Sequence, residues 1–220
     1  MGQKECLLRQ KITKTLRCDY LLFLPATYDK TKKRWPLILF LHGAGERGND
    51  LNLVKLHGLT KNLEEDPSFP FVVVSPQCPK HEWWSMEVLV ALLDRIERKY
   101  RVDKNRVYVT GLSMGGFATW QLALEYPDRF AAIAPICGGG NWRLAYRLKD
   151  LPAWVFHGAK DKAVQIAESR EMVSALRKWG GNVKFTVYPQ AGHDSWTRTY
   201  KNKRLYDWFL SQRRSARSGK

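Results

Sequence analysis

Short apolar runs alternate with longer amphipathic segments along most of the chain. The run Pro36–His42 is apolar on both faces, as expected of a strand in the middle of a parallel sheet. Seven runs have the length and composition of β-strands, and an eighth is possible at residues 6–12. The seven runs cover residues 18–25, 36–42, 71–75, 106–110, 130–134, 153–157 and 183–188.

The segments between the later strands have helical periodicity. Residues 86–99 carry apolar side chains three and four positions apart and charged side chains on the opposite face. Residues 164–179 and 196–212 repeat this pattern, and residues 51–63 of the longest connection favour short helices. Alternating strands and helices predict an α/β fold with a mostly parallel sheet of seven or eight strands flanked by helices.

The chain has the composition of a globular protein. It contains 220 residues, of which 44% are hydrophobic and 26% charged, and no internal repeat or linker divides it. We therefore expect one domain over residues 1–220, with a basic, flexible tail at residues 211–220. Its apolar runs are shorter than the roughly 20 residues of a membrane span. The first residues do not resemble a secretory signal, which predicts a cytoplasmic protein unless a signal has been removed.

Cysteine and charge content narrow the possible functions. The four cysteines have no zinc-binding or disulfide-framework spacing, so we interpret them as reduced and structural. A net charge of +16 attracts polyanions, and a polyanion-binding protein is one alternative function. The basic residues are spread along the chain and do not cluster with aromatic residues as in a nucleic-acid-binding module. A nucleic-acid partner is therefore not expected.

The segment Gly111–Gly115 contains a serine in an unusual setting. Its sequence, GLSMG, follows a predicted strand and precedes a predicted helix. A glycine on each side of Ser113 permits a sharp turn, which projects the hydroxyl group. The helix that begins near Met114 directs its first N–H groups toward the place where negative charge would form. The pattern predicts a nucleophilic serine, whereas a simple tight turn is the alternative.

A nucleophilic serine requires an acid and a histidine later in the chain. Asp161 and His193 each follow a predicted strand, in that order, at the sheet edge where active sites of α/β proteins collect. The alternatives are a surface charge for Asp161 and a helix-entry residue for His193, but all three residues in the required order favour the catalytic interpretation. His157 is a weaker base candidate, which we expect to brace the loop of Asp161. His57 and His81 receive no predicted role.

An anion formed on an attacked carbonyl needs two hydrogen-bond donors. We predict the backbone N–H of Met114 as one donor. The second is predicted in the glycine-rich turn after the strand that ends at residue 42, with Ala44 preferred and Gly43 next. A plain loop is the alternative interpretation of this turn.

Six segments together resemble a known family. They are LHGAGERGND, PQCPKHEWWS, VTGLSMGGFATW, APICGGG, HGAKDKAV and AGHDSW. They are similar to small α/β-hydrolases of the phospholipase/carboxylesterase and "predicted peptidase" group, near polyhydroxybutyrate depolymerases and feruloyl or acetyl xylan esterases. The resemblance covers about residues 18–211. It implies a carboxylesterase with Ser113 as nucleophile, His193 as base and Asp161 as its orienting acid, and no metal or cofactor.

The resemblance leaves the substrate open. The chain has little room for a lid, so an open site is expected, and loops at the predicted edge carry Trp83, Trp84, Trp142 and Trp196. We predict that the last three contact substrate, because indoles stack on aryl groups and sugar rings. The alternative is that several are core residues, as we expect for Trp35 and Trp120. Short-chain, aryl or saccharide esters are the predicted substrates, and a peptidase of the same fold is the other alternative.

Overall fold

A computed structural model describes residues 3–214, and in this range seven strands form one sheet. Across the sheet their order is β1-β3-β2-β4-β5-β6-β7, with β1 antiparallel to β3 and the other neighbours parallel. This order confirms the predicted, mostly parallel sheet. The strands are β1 (Tyr20–Phe23), β2 (Trp35–Leu41), β3 (Val72–Pro76), β4 (Val102–Leu112), β5 (Ala132–Ile136), β6 (Ala153–Gly158) and β7 (Val183–Tyr188).

Helices connect and flank the strands. The predicted helix at residues 196–212 is two helices, because Asn202 interrupts it and caps the second by accepting the N–H of Arg204 at 3.1 Å. The α-helices are α1 (Gly58–Leu63), α2 (Met86–Lys99), α3 (Met114–Glu125), α4 (Ile166–Lys178), α5 (Trp196–Tyr200) and α6 (Lys203–Ser211). Short 3₁₀ helices cover Ala44–Glu46, Leu53–Lys55, Pro127–Arg129 and Trp142–Leu148.

The two faces of the sheet bury separate apolar clusters. Successive side chains of a strand point to opposite faces, so β2 supplies Leu37, Leu39 and Leu41 to one cluster and Ile38 and Phe40 to the other. Helices α2, α3 and α4 cover the first face, and α1, α5 and α6 cover the second. This explains why β2 is apolar at every position. Trp35 and Trp120 are buried in the first cluster, as predicted.

The possible eighth strand at residues 6–12 is wrong. This segment has no strand pairing, and the side chains of Leu7 and Leu8 are each 85% exposed. Its few apolar residues do not form a face that a neighbouring layer buries. No helix in the described range has the length and apolar content that crossing a bilayer requires.

The predicted C-terminal tail begins bound to the sheet. The hydroxyl of Tyr108 donates to the carbonyl of Gln212 at 2.9 Å, and the N–H of Arg214 donates to the carbonyl of Asn105 at 2.8 Å. Arg213 forms an ion pair with Asp103 at 3.3 Å. These contacts connect residues 212–214 to β4, the expected flexibility of the tail stays a prediction, and residues 215–220 lie outside the described range.

Candidate active site

Ser113 forms the turn between β4 and α3. β4 ends at Leu112 and α3 begins at Met114, so the serine alone makes the change of direction, with φ 52° and ψ −116°. A positive φ is costly for a residue with a side chain and persists only where its surroundings hold it. The N–H of Ser113 donates to the carbonyl of Ile136 at 3.0 Å, and its own carbonyl accepts the N–H of Phe117 at 3.0 Å. Strand β5 and the first turn of α3 thereby hold the strained residue.

The two glycines that flank the serine allow close backbone packing. A Cβ atom on Gly115 would overlap the backbone carbonyl of Leu41, and one on Gly111 would lie 2.6 Å from the same carbonyl oxygen. Real Cβ atoms are not found at such distances, so only glycine lets the start of α3 lie against the end of β2. The G-x-S-x-G spacing is therefore required by packing at this turn.

A continuous hydrogen-bonded chain joins the three residues predicted at strand ends. Nε2 of His193 lies 2.9 Å from Oγ of Ser113, and Nδ1 of His193 lies 2.8 Å from Oδ2 of Asp161. The buried Asp161 carboxylate also accepts the N–H groups of Ala163 and Val164, both at 2.9 Å. Because an ionised carboxylate only accepts, Nδ1 carries the imidazole proton and Nε2 is left to accept the serine proton.

The loops that carry the acid and the histidine pack directly on each other. The N–H of Ala159 donates to the carbonyl of Tyr188 and that of Lys160 to the carbonyl of Ala191, both at 2.9 Å. A Cβ atom on Gly158 would lie 2.5 Å from the carbonyl oxygen of Ala191, so glycine is needed at the end of β6. This contact sets the spacing between the two loops that carry Asp161 and His193.

His157 braces the acid loop, as expected. Its fully buried imidazole places Nε2 2.9 Å from the carbonyl of Val164 and 3.3 Å from Oδ2 of Asp161. Nδ1 lies 2.8 Å from the hydroxyl of Ser169. Burial lowers the pKa of His157, which favours the neutral ring. The contact to Ser169 extends the bracing from the end of β6 to helix α4.

The predicted donors of the oxyanion site lie on two neighbouring segments. Met114 is the first residue of α3, where backbone N–H groups have no partner within the helix. Leu41 is paired with Gly111, so the chain that leaves β2 runs beside the serine turn. A Cβ atom on Gly43 would lie 2.8 Å from Cδ1 of Leu112. The assignment of Met114, Gly43 and Ala44 as donors stays a prediction.

His42 supports the glycine-rich turn from inside. Its Nδ1 lies 2.6 Å from the carbonyl of Gly43, to which it donates, and its Nε2 accepts the N–H of Cys78 at 3.0 Å. Burial, with a smaller effect of the Arg47 cation, lowers the pKa of His42 from 6.5 to about 4. The ring is therefore neutral at pH 7. Neither its burial nor its role was predicted from the sequence, although an imidazole that ends an entirely apolar strand is a recognisable signal.

The three tryptophans predicted to contact substrate lie in different environments. Trp196 lies beside the candidate site, with its ring centroid 5.1 Å from that of His193. Trp142 is 42% exposed, and the guanidinium of Arg143 covers its ring at 4.4 Å, so its contact with substrate stays a prediction. Trp84 is not a surface indole. It is 5% exposed and packs against His42 at 4.7 Å, which places it in the core under the turn.

A further aromatic pair joins Trp83 to Phe117, which lies on the first turn of α3 after the serine. The ring centroid of Trp83 is 6.3 Å from that of Phe117, in an edge-to-face arrangement, and Trp83 is 53% exposed. Phe117 is the residue whose N–H binds the carbonyl of Ser113, so this pair lies one helical turn from the serine. Trp83 replaces Trp84 as the exposed indole of this segment.

Within residues 3–214, three side chains of types that can bind a metal ion lie close together. Possible ligand atoms of Cys137, Asp161 and His193 lie within 4.8 Å of one another. A metal would need the thiolate, but burial raises the pKa of Cys137 to about 12. The carboxylate and the imidazole are also engaged in the chain that ends at Ser113. The donor set does not fit a metal site.

A mostly parallel sheet with a strained serine between strand and helix, and helices on both faces, defines an α/β-hydrolase fold. The chain belongs to the dienelactone hydrolase family, whose model matches residues 73–208.

Individual relatives are named as esterases. A bifunctional acetylxylan esterase/xylanase of Neocallimastix patriciarum is 28% identical over 57% of this chain and 19% of its own length. A "Probable feruloyl esterase C" of Aspergillus terreus is 26% identical over 71% of this chain and 59% of its own length. The crystal structure of a thermostable esterase is 36% identical, with a TM-score of 0.75 over 89% of this chain and 59% of that one. The chain thus spans less than two thirds of each of these relatives.

Proposed function

We propose that this protein is a serine carboxylesterase in which Ser113, His193 and Asp161 act as a catalytic triad. The observation that carries the proposal is the hydrogen-bonded chain, with 2.9 Å between serine and imidazole and 2.8 Å between imidazole and carboxylate. A serine hydroxyl becomes nucleophilic when such a base accepts its proton. The buried carboxylate, which accepts two further N–H groups, keeps the imidazole in the orientation that exposes Nε2 to the serine.

In the proposed reaction, Oγ of Ser113 forms a bond to the ester carbonyl carbon while its proton passes to Nε2 of His193. The resulting oxyanion is stabilised by the N–H of Met114 and by that of Ala44 or Gly43. The bond to the alcohol oxygen then breaks, and His193 gives its proton to the departing alcohol. Water attacks the acyl-enzyme, again losing its proton to His193, and the carboxylic acid leaves as Ser113 regains its proton.

We propose short-chain, aryl or saccharide esters as the substrates. Relatives named as acetylxylan and feruloyl esterases support this choice. Aromatic rings also lie near residues that contact the serine, with Trp196 beside His193 and Trp83 against Phe117 of α3. Flat aromatic faces of this kind favour sugar rings and aryl groups. The proposed reaction uses no metal or cofactor.

Turnover of p-nitrophenyl acetate and butyrate tests the proposal. Ser113→Ala should lower kcat by at least about 10³-fold, because Ser113 is the nucleophile of the proposed reaction. Ser174→Ala is a matched control, since Ser174 is exposed on α4 and should leave turnover unchanged. Undiminished turnover by Ser113→Ala would refute the mechanism. Cleavage of a matched peptide amide at the ester rate would instead favour the peptidase alternative.

A further inference from the structure

Glu46 is a buried carboxylate without a hydrogen-bond donor among the described residues. Its side chain is 8% exposed, and its Oε2 atom is fully buried with no partner. Two imidazoles approach but remain too distant for hydrogen bonds. Nδ1 of His42 is 3.7 Å from Oε2, and Nε2 of His57 is 3.8 Å from Oε1.

The neighbouring donors are committed to other acceptors. The Nδ1–H of His42 donates to the carbonyl of Gly43, and its Nε2 accepts an N–H, so this ring has no further proton to offer. The guanidinium of Arg47 donates to the carbonyls of Ala44 and Glu82 at 3.0 and 3.1 Å. The close ionic contacts of Glu46 are those to the two imidazoles. Buried polar atoms are nearly always satisfied in proteins. The Glu46 carboxylate is thus an acceptor that no described residue satisfies, and a bound molecule can supply the missing donor.

The carboxylate lies next to the proposed reaction centre. Oε2 of Glu46 is 3.3 Å from the position that a Cβ atom on Gly43 would occupy, and this position is 2.8 Å from Cδ1 of Leu112, which precedes the serine. On its other side, the ring of His57 lies 6.4 Å from that of Trp196. Trp196 in turn contacts the ring of the triad histidine. Glu46 and His57 thus lie on the His193 side of the serine.

We propose that Glu46 and His57 form a subsite that binds a hydrogen-bond donor, a hydroxyl or an ammonium group, on the alcohol half of the substrate. This rests on the proposed ester hydrolysis, in which His193 gives its proton to the departing alcohol and so defines the alcohol side. The Glu46 carboxylate accepts from the donor group. His57 is exposed, so a bound group reaches its ring from solvent, and the Trp196 indole supplies an apolar wall.

Turnover of three acetate esters, each measured separately, tests the subsite. Propyl acetate has no donor, 2-hydroxyethyl acetate of similar size has a hydroxyl, and protonated 2-(dimethylamino)ethyl acetate has an ammonium N–H. Acid release followed in a pH-stat at pH 7 gives kcat/KM for each. The native protein should favour at least one donor ester over propyl acetate, and the better one identifies the group that is bound. In Glu46→Gln, the ratio of that donor ester to propyl acetate should fall about tenfold, as for a lost hydrogen bond to a charged group.

Matched variants separate a binding role from a structural one. Glu65→Gln, which changes an exposed carboxylate, should leave the ratio unchanged. Because Glu46 has no ion-pair partner within hydrogen-bond distance, Glu46→Gln should not lower the urea midpoint, whereas a structural role would lower it. His57→Phe, a change at an exposed position, is a second test, in which the ratio of the donor ester to propyl acetate should again fall.

The outcomes for this subsite differ from those for the triad. Ester turnover with a ratio that Glu46→Gln and His57→Phe both leave unchanged would overturn the subsite and leave the triad standing. A native protein that cleaves none of the three esters, nor the p-nitrophenyl esters, would refute the proposed function itself.

Discussion

His42 makes the stability of the fold depend on pH in a way that can be calculated. Its ring is 1% exposed, and burial lowers its pKa from 6.5 to about 4. Protonation is opposed locally, because Nε2 faces the N–H of Cys78 and Nδ1 already donates to Gly43. Oε2 of Glu46 lies 3.7 Å from Nδ1, but burial is the largest influence on the pKa of His42 and lowers it.

The sign follows from proton linkage. Between pH 6.5 and 4 the unfolded chain binds a proton at this histidine and the folded chain does not, so the free energy of unfolding falls as the pH falls. The contribution of neutral His42 to the free energy of unfolding is complete above pH 6.5 and is lost progressively down to pH 4. For these two pKa values the loss is about 2 kcal/mol at pH 5 and about 3 kcal/mol at pH 4.

Urea denaturation from pH 7.5 to pH 4 measures this effect. His42→Gln keeps an acceptor for the N–H of Cys78 but does not titrate, so its stability should fall less steeply with pH than that of the native protein. The difference between the two curves should reach about 2 kcal/mol at pH 5. Titrating groups that do not contact His42, such as His157, contribute equally to both proteins and cancel in the difference. Two parallel curves would refute the reasoning, because they would show that His42 does not change its protonation on unfolding.

Two further substitutions test the supports of the site. Gly115→Ala should cost about 3 kcal/mol or more in urea denaturation, because its methyl group would overlap the Leu41 backbone, whereas Gly45→Ala, with nothing within 4 Å of its Cβ position, should be close to neutral. A similar cost for both would show that close packing is not the cause. His157→Leu should cost about 2 kcal/mol, because Val164 and Ser169 lose buried partners, and His157→Gln should recover part of the loss. Equal stability of all three proteins at this position would contradict the bracing role.

The sheet and the positions of three site residues could be predicted because their signals are local. An apolar run predicts a strand, the G-x-S-x-G spacing predicts a turn, and the ends of parallel strands lie on one edge of a sheet. The hydrogen-bonded contacts of Ser113, Asp161 and His193 agree with this expectation. Their catalytic roles remain predictions that the proposed kinetics will test.

The remaining features depend on contacts that the sequence does not reveal. Trp83 is 53% exposed and Trp84 is 5% exposed, and nothing in the local sequence marks which of these neighbouring indoles faces the core. Glu46 was missed because acidic residues are usually exposed, and its burial depends on how the 3₁₀ helix Ala44–Glu46 folds over His42. The break before α6 depends on a single side-chain cap, which is weaker than the apolar periodicity that spans it.

Backbone packing, more than any side-chain contact, determines where the serine hydroxyl lies. The positive φ of Ser113 is held by hydrogen bonds from the neighbouring strand and the first helical turn, and the flanking glycines lock the turn against β2. By contrast, the proposed subsite of Glu46 and His57 depends on side chains from the 3₁₀ helix after β2 and from the residue before α1. We expect substitutions at these two side chains to leave the backbone of the serine turn unchanged. Substrate preference can therefore change within this fold while the attacking group keeps its geometry.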